Sequence, residues 1–371
     1  VTTTLRVLIL ASPGEEADAG ASLLAACAAG SSGHPRVVLE TLSAGREDFL
    51  DVFYEQVFTA EHAGTPEIPL SAVVLGYEFD RGTDDAESLR HLARMGESLR
   101  VPFLAAVSPA FWGIRQPALL ANLPDVARKV EGSEYAKWNL LRREEASLWL
   151  CLAANRLALR DPKDGSRSLW ASGSYALGAL LIRSFLAGGA RFPMRGLELA
   201  DLPVPPVEVY LPDQKALEIS RAGLAPLVAR KGEAAASFPS LPVLHLPKRY
   251  DREEATRSAA AVATLPYQAF AGAAAHALDG LVKAMSPGME PEAIQQHLGD
   301  GLRAFLVANG EEPPPAAPEA PEATEPIQAV EVETHPDPEN PAVWQIIVRL
   351  RPLFQISGAA VDLVLGQVVP R

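Results

Sequence analysis

The sequence predicts an α/β protein built on βαβ units, with a further set of strands at its C-terminal end. Three stretches carry that prediction. Ser71 to Ile114 reads as strand, helix, strand, and so does the segment from Leu5 to Leu42. After a Pro/Ala/Glu-rich stretch, residues 327–371 alternate apolar and polar side chains. An unbroken apolar strand on each side of an amphipathic helix implies a parallel pair with a right-handed crossover, because both faces of such a sheet are covered.

The central unit is the clearest. Ala72 to Leu75 is a short apolar run that Gly76 is expected to end. Asp84 stands where a helix cap is needed, and Glu87 three residues later completes the pattern of a capping box. Leu89, Leu92, Ala93, Gly96 and Leu99 fall on one helical face, Pro102 stops the helix, and Phe103 to Val107 is a second buried strand. At the N-terminal end, Leu5 to Leu10 is a strand, Asp18 to Ala29 an Ala-rich helix ended by Gly30, and Val37 to Leu42 a strand. Strand, glycine, helix and strand invite a nucleotide reading. The loop lacks a G-x-G-x-x-G or G-K-S/T pattern, however, and Glu15 and Glu16 would repel a phosphate at the helix start. Ordinary βαβ packing is the better reading.

Further along, Glu47 to Phe58 is expected to be a helix with Phe49, Leu50, Phe53, Tyr54 and Val57 in the core. Glu134 to Arg160 carries Trp138, then Arg142, Arg143, Glu144 and Glu145, then Leu148, Leu152, Leu157 and Leu159. It reads as a helix whose charges form solvated pairs rather than a catalytic set. Small residues Gly173, Ala176, Gly178 and Ala179 in Ser168 to Phe192 would let another backbone approach closely. Val207 to Leu211 is read as a strand, Asp213 to Arg221 as a helix with Gly223 at its C′ position, and Gln268 to Val282 as a helix.

Bulk properties narrow the function. With 371 residues, 48% of them hydrophobic, the chain can bury a sizeable core. A net charge of −13 argues against nucleic acid, which needs clustered Lys and Arg, and favours a basic protein partner. Cys27 and Cys151 sit among Ala and Leu and read as buried free thiols, which suits a reducing cytoplasm. No secretory signal is evident, and the most apolar helices are too short and too charged for membrane insertion.

No catalytic pattern emerges. The histidines at positions 34, 62, 91, 245, 276, 297 and 335 are scattered, with no partner at metal-ligand spacing. The sequence therefore offers no cofactor or metal site and no catalytic residues. Glu78 and Asp80, alternate residues just past an apolar run, are the best acidic pair for a metal or acid/base site. Nothing supplies a nucleophile or third ligand nearby, so turn and cap hydrogen bonding is the expected role.

Several motifs, in order, resemble the large subunit of the type VI secretion contractile sheath, the TssC/EvpB type. They are Gly76-Tyr77-Glu78-Phe79-Asp80 with the capped helix and PFLAAVSPAFWGI; the stretch around Trp138; SLWASGSYALGALLIRSF; EVYLPDQKALEISRAGLAPLV; and LPKRYD running to Leu265, Pro266 and Tyr267. Helix 268–282 departs from the family's basic pattern, and Leu353 replaces a usual His before Phe354 and Gln355. The resemblance implies a non-enzymatic, cytoplasmic, bacterial structural subunit. It would pair with a small sheath subunit and copies of itself around an inner tube protein, with an AAA+ ATPase recycling the sheath indirectly. It also implies a longer N-terminal arm than stands ahead of Leu5 here; a short variant would cap a sheath or sit in a baseplate without polymerising. A small-molecule-binding α/β enzyme using Glu78 and Asp80 is the reading of a different class.

The expected organisation is an α/β core over 1–308, a linker over 309–326, and C-terminal strands over 327–371. Composition makes the linker extended and open to proteolysis. The tail strands are Ile327 to Glu333, Trp344 to Leu353 and Ser357 to Val369, with Trp344, Ile346 and Val348 facing one way. A two-stranded hairpin is marginal alone and carries an open edge, so the last two strands are expected to join a neighbour's sheet. Trp344, Ile346, Val348, Phe354 and Gln355 are the candidate contacts, with Arg142, Glu144 and Glu145 as further ones. On that expectation the chain without 341–371 stays soluble. The alternative is that the hairpin packs back onto its own body.

Overall fold

Apolar strands flanked by Gly and Pro assemble into a six-stranded parallel sheet in the computed structural model, which describes residues 4–29, 37–160, 168–194, 202–286, 288–308, 330–338, 340, 342–352 and 361–370. The N-terminal strands are β1 (Leu5–Ala11), β2 (Val37–Ser43), β3 (Ala72–Phe79) and β4 (Phe103–Val107). Next come β5 (Leu150–Ala154), β6 (Leu157–Arg160), β7 (Leu169–Ala171) and β8 (Ala225–Pro226), then the short β9 (Val228–Ala229) and β10 (Ala236–Ser237). The tail strands are β11 (Val330–Pro336), β12 (Val343–Leu350) and β13 (Leu363–Pro370). The main sheet runs β2-β1-β3-β4-β5-β8, every neighbour parallel, and the tail forms an antiparallel sheet β11-β12-β13.

The helices are α1 (Glu15–Ala29), α2 (Phe49–Phe53), α3 (Thr59–His62), α4 (Thr83–Leu99), α5 (Val126–Val130) and α6 (Ala136–Leu141). They continue as α7 (Gly173–Gly188), α8 (Asp213–Arg221), α9 (Glu253–Val262), α10 (Leu265–Lys283) and α11 (Pro291–Ala308). Because strand side chains alternate, each strand feeds two cores. Val74, Leu104 and Cys151 point to the side of α1 and α7, with Leu24, Leu177 and Leu181. Val73, Phe103 and Leu152 point to the side of α2, α4 and α6, with Phe53, Leu89 and Trp138. Each such Leu or Phe, fully buried, contributes about 1.5–3 kcal/mol.

Small residues set the close approach of α7. A Cβ on Gly178 would stand 2.8 Å from the Val74 side chain, and one on Gly173 2.6 Å from the backbone carbonyl of Asn155. Both cysteines are free and buried, and burial pushes the Cys151 thiol far up. Gly223, at φ +82°, follows α8 as a C′ residue should.

Several elements differ from the sequence reading. The apolar run does not stop at Gly76: β3 continues to Phe79, and the Ala11 methyl and the Tyr175 hydroxyl fill the space that a side chain at 76 would need. Asp84 caps nothing; Gly82 is the N-cap of α4, and Asp85 accepts the Asp80 N–H at 2.6 Å instead. Helix 47–58 is α2 followed by a π-helical turn at Tyr54–Phe58, and Tyr54 is exposed, stacked on Phe58.

The stretch 134–160 is not one helix. It breaks after Leu141, and 150–154 and 157–160 are strands. Val207 to Leu211 forms only an isolated bridge, Val207 to Leu157. Helix α11 is an element beyond those the sequence predicts. The linker 309–326 and the candidate contacts Phe354 and Gln355 lie outside the described residues.

Candidate functional site: a sealed strand crevice and an open-edged tail sheet

Open parallel sheets hold ligands where the strand order reverses, at the carboxyl ends of the strands. Here that point lies between β1 and β3. Its charged groups are committed to one another, while the buried Tyr175 hydroxyl beside Ala11 and Gly76 has no hydrogen-bond partner among the described residues. Arg156, just past β5, grips Glu78 at the end of β3 in a two-pronged pair, Nε to Oε1 at 2.7 Å and the terminal nitrogen to Oε2 at 2.6 Å. Hydrogen bonding to Glu78 drives the Arg156 guanidinium well above its usual range. Glu208 lies 3.8 Å from the same guanidinium, and burial raises its pKa. Glu16, at the start of α1, accepts the Ser172 N–H at 2.8 Å, and burial raises its pKa too. The Ser174 hydroxyl donates to the Leu75 carbonyl at 2.6 Å.

Glu78 and Asp80 therefore do not form an acidic pair open to a ligand. Glu78 holds Arg156, and an Asp80 carboxylate oxygen accepts the Gly82 N–H in the turn before α4. Among the described residues no group of three or more His, Cys, Asp and Glu side chains is placed to hold a metal ion. No helix of the described residues is long and apolar enough to cross a membrane.

The charged run after Trp138 is dispersed rather than paired. Trp138 is fully buried, its ring 4.7 Å from Phe111. Arg142 is only 7% exposed and donates to the Leu244 carbonyl at 3.2 Å. Burial lowers its pKa to about 10. Glu144 takes Arg90 at 2.7 Å, and exposed Glu145 stands 3.6 Å from Lys248. The expected solvated helical pairs do not form, because the helix ends before them. Pro266 opens α10 in the first turn, where its missing N–H costs nothing. The Tyr267 hydroxyl donates to the Asp362 carbonyl at 3.4 Å and ties α10 to the tail.

The tail sheet has an inner and an outer face. Ile346, Val348, Leu350, Leu363 and Leu365 are buried in one cluster with Leu298 and Leu302 of α11. Ile346 and Val348 are thus spent on the chain's own core, and Trp344 packs against the same cluster. Their side chains are not free for a neighbour, and the tail is not a free-standing hairpin, since β11 supplies a third strand. The outer face grades from acidic to apolar: Glu333 stands opposite Ile347, which stands opposite Gly366. Val364 and Val368 of β13 are 58% and 54% exposed. Among the described residues no strand pairs with the outer edge of β13.

His276 joins α10 to the end of α4. Its Nε2 lies 2.9 Å from the Leu99 carbonyl, so the neutral Nε2–H tautomer donates to one of the helix's last carbonyls. Burial, the largest cause, lowers its pKa below 6.5. An unfolded chain then binds more protons than the folded one between that lowered value and 6.5, so stability falls as pH drops through this window. The expected result is a melting temperature that declines below about pH 6.5 in the native chain and declines less in His276→Gln, which keeps a donor. Equal slopes in the two proteins would refute the assignment.

The parallel core and antiparallel tail make this a mixed α/β protein. The helical sheath of the anti-feeding prophage in its contracted state, solved by cryo-EM, has the same fold, with a TM-score of 0.50 at 10% identity, covering 100% of this chain and 89% of that one. Residues 38–168 match the family model VipB, described as EvpB/VC_A0108, tail sheath N-terminal domain. The type VI secretion system sheath protein TssC1 of Pseudomonas aeruginosa is 26% identical over 354 residues, 85% of this chain and 70% of that protein. Both sequence likenesses are to sheath proteins of type VI secretion, the first confined to residues 38–168.

Proposed function

We propose that this chain is the large structural subunit of a type VI contractile sheath. It pairs with a small sheath subunit, stacks with its own copies around an inner tube protein, and contracts to drive that tube outward. An AAA+ ATPase recycles the spent sheath, acting through the small subunit. The observation that carries this reading is the similarity to TssC1 over 85% of the chain. The commitment of Glu78, Arg156 and Glu16 to internal bonds supports a structural rather than catalytic role.

The tail supplies the joint in this reading. An open edge on β13 offers main-chain groups to a strand from a neighbouring subunit, and the apolar outer strip at Val364 and Val368 gives that strand something to cover. Force comes from a lattice with two packings, the second better packed than the first. Co-expression with a small sheath subunit is expected to yield tubes in negative-stain images. Val364→Lys combined with Val368→Lys is expected to leave folding within about 0.5 kcal/mol, as exposed substitutions do, and to abolish the tubes. Tubes formed equally well by the double variant would remove the tail from the joint.

A further inference from the structure

A chain of net charge −13 carries a basic hollow among its described residues. It is a groove of about 1330 Å³ between α5, α6, the end of α8 and the segment 238–249. Arg128, Arg142, Arg143, Arg221 and Arg249 line it, and none of the five is matched with a carboxylate in an ion pair among the described residues. Elsewhere arginines such as Arg6, Arg90 and Arg156 are matched by two glutamates each. Only Asp125 and Glu131 oppose the five within the groove, and Asp125 is occupied in capping α5 through the Arg128 N–H at 3.1 Å.

The arginines differ in kind. Arg142 forms part of the wall, with its guanidinium packed against Gly223, where even an added Cβ would stand 2.9 Å away. It bonds only backbone carbonyls, those of Leu244 and Arg221, so its charge is not neutralised. Burying an unneutralised guanidinium is costly, and an anion at the mouth of the groove would repay part of that cost. Arg128, Arg143, Arg221 and Arg249 are exposed around it. The floor is apolar and stiff, made by Phe238, Leu241 and Pro242. A cleft in which one sign of charge predominates focuses its field even when the whole molecule carries the opposite sign.

We propose that this groove docks an extended acidic segment of a partner protein. Guanidinium forks pair with carboxylates in two-pronged fashion, and the apolar floor accepts the side chains between them. A nucleic acid fits less well, since a dense phosphate chain meets the repulsion of the remaining surface. This surface is separate from the tail sheet, and its docking function holds whether or not the chain forms tubes.

The test is fluorescence anisotropy of the full chain with a labelled alternating Glu/Ala peptide, alongside a single-stranded oligonucleotide of equal charge. The peptide is expected to bind saturably, and Arg143→Glu with Arg221→Glu is expected to weaken it at least about tenfold. Arg230→Glu, an exposed arginine outside the groove, is expected to leave binding unchanged. All three positions are exposed, so folding is not at stake. As an independent readout on the native chain, the peptide is expected to slow amide exchange within 125–131 and 220–223. No saturable binding, equal loss in Arg230→Glu, oligonucleotide binding as tight as the peptide's, or protection confined to other segments would each overturn the proposal.

Discussion

Removing residues 330–371 is expected to cost the chain its solubility. The tail covers the apolar stripe of α11, where Leu298, Leu302, Phe305 and Leu306 share a cluster with Ile346, Val348, Leu350 and Leu365. Truncating a single buried Leu or Ile to Ala costs about 2–5 kcal/mol. A whole domain is stable by only about 5–15 kcal/mol, so losing the entire inner face exceeds the margin. The shortened chain should be recovered as aggregate, whereas Ile346→Ala in the full chain should remain soluble with a melting temperature lowered by several degrees. A truncated chain that stays monomeric and melts at the native temperature would show that the tail docks only loosely. The sequence alone predicts the reverse, a soluble body without 341–371, because a hairpin after a linker is free to reach outward.

The second large effect is at Gly272. A Cβ placed there would stand 2.4 Å from the Arg100 carbonyl, a backbone atom held by the left-handed residue that closes α4. One turn later on α10, His276 bonds the preceding carbonyl, Leu99. The pair explains how α10 lies so close over the end of α4: the glycine makes room and the histidine satisfies a carbonyl. Gly272→Ala must push two main chains apart, which costs about 1–3 kcal/mol as overpacking does, and Gly272→Val more. Urea melts should show the valine variant markedly destabilised at an unchanged m-value. Native stability in that variant would mean that α10 and α4 are not this close.

Where a signal was local, the sequence displayed the fold. Strands β1, β3 and β4 are mainly apolar runs next to Gly, Pro or Ser, and α8 matches its expected span from Asp213 to Arg221. The signals that failed depend on distant partners. Leu148, Leu152 and Leu159 continue the apolar character of α6, so residues 150–160 looked helical. Arg142, the residue at which α6 ends, instead donates to the carbonyls of Arg221 and Leu244, far away in sequence. The cap at Asp84 failed because its neighbour Asp85 was needed by the turn at Asp80.

Helix α11 could have been found. Ile294, Leu298, Leu302 and Phe305 recur at helical spacing, but Gly299 and Gly301 between them lower helix propensity. Gly301 is there for a reason that only packing reveals, since a Cβ would meet the Leu281 side chain at 2.4 Å.

For the candidate site, alternation along β12 disclosed which side chains share a face, but not that the face would be covered by α10 and α11. The basic groove was likewise invisible, because Arg128, Arg142, Arg221 and Arg249 are scattered through a chain whose total charge is −13. The resemblance to sheath proteins was legible because its motifs lie in order along most of the chain, and a family match over 38–168 supports it independently.

Cryo-EM of particles from co-expression with the small sheath subunit tests the central claim most directly. The account predicts helical tubes in which the outer edge of β13 is hydrogen-bonded to a strand from a neighbouring subunit, while Ile346 and Val348 remain buried in the core of their own chain. Particles that stay as isolated heterodimers, or tubes in which the β13 edge is left unpaired, would contradict it.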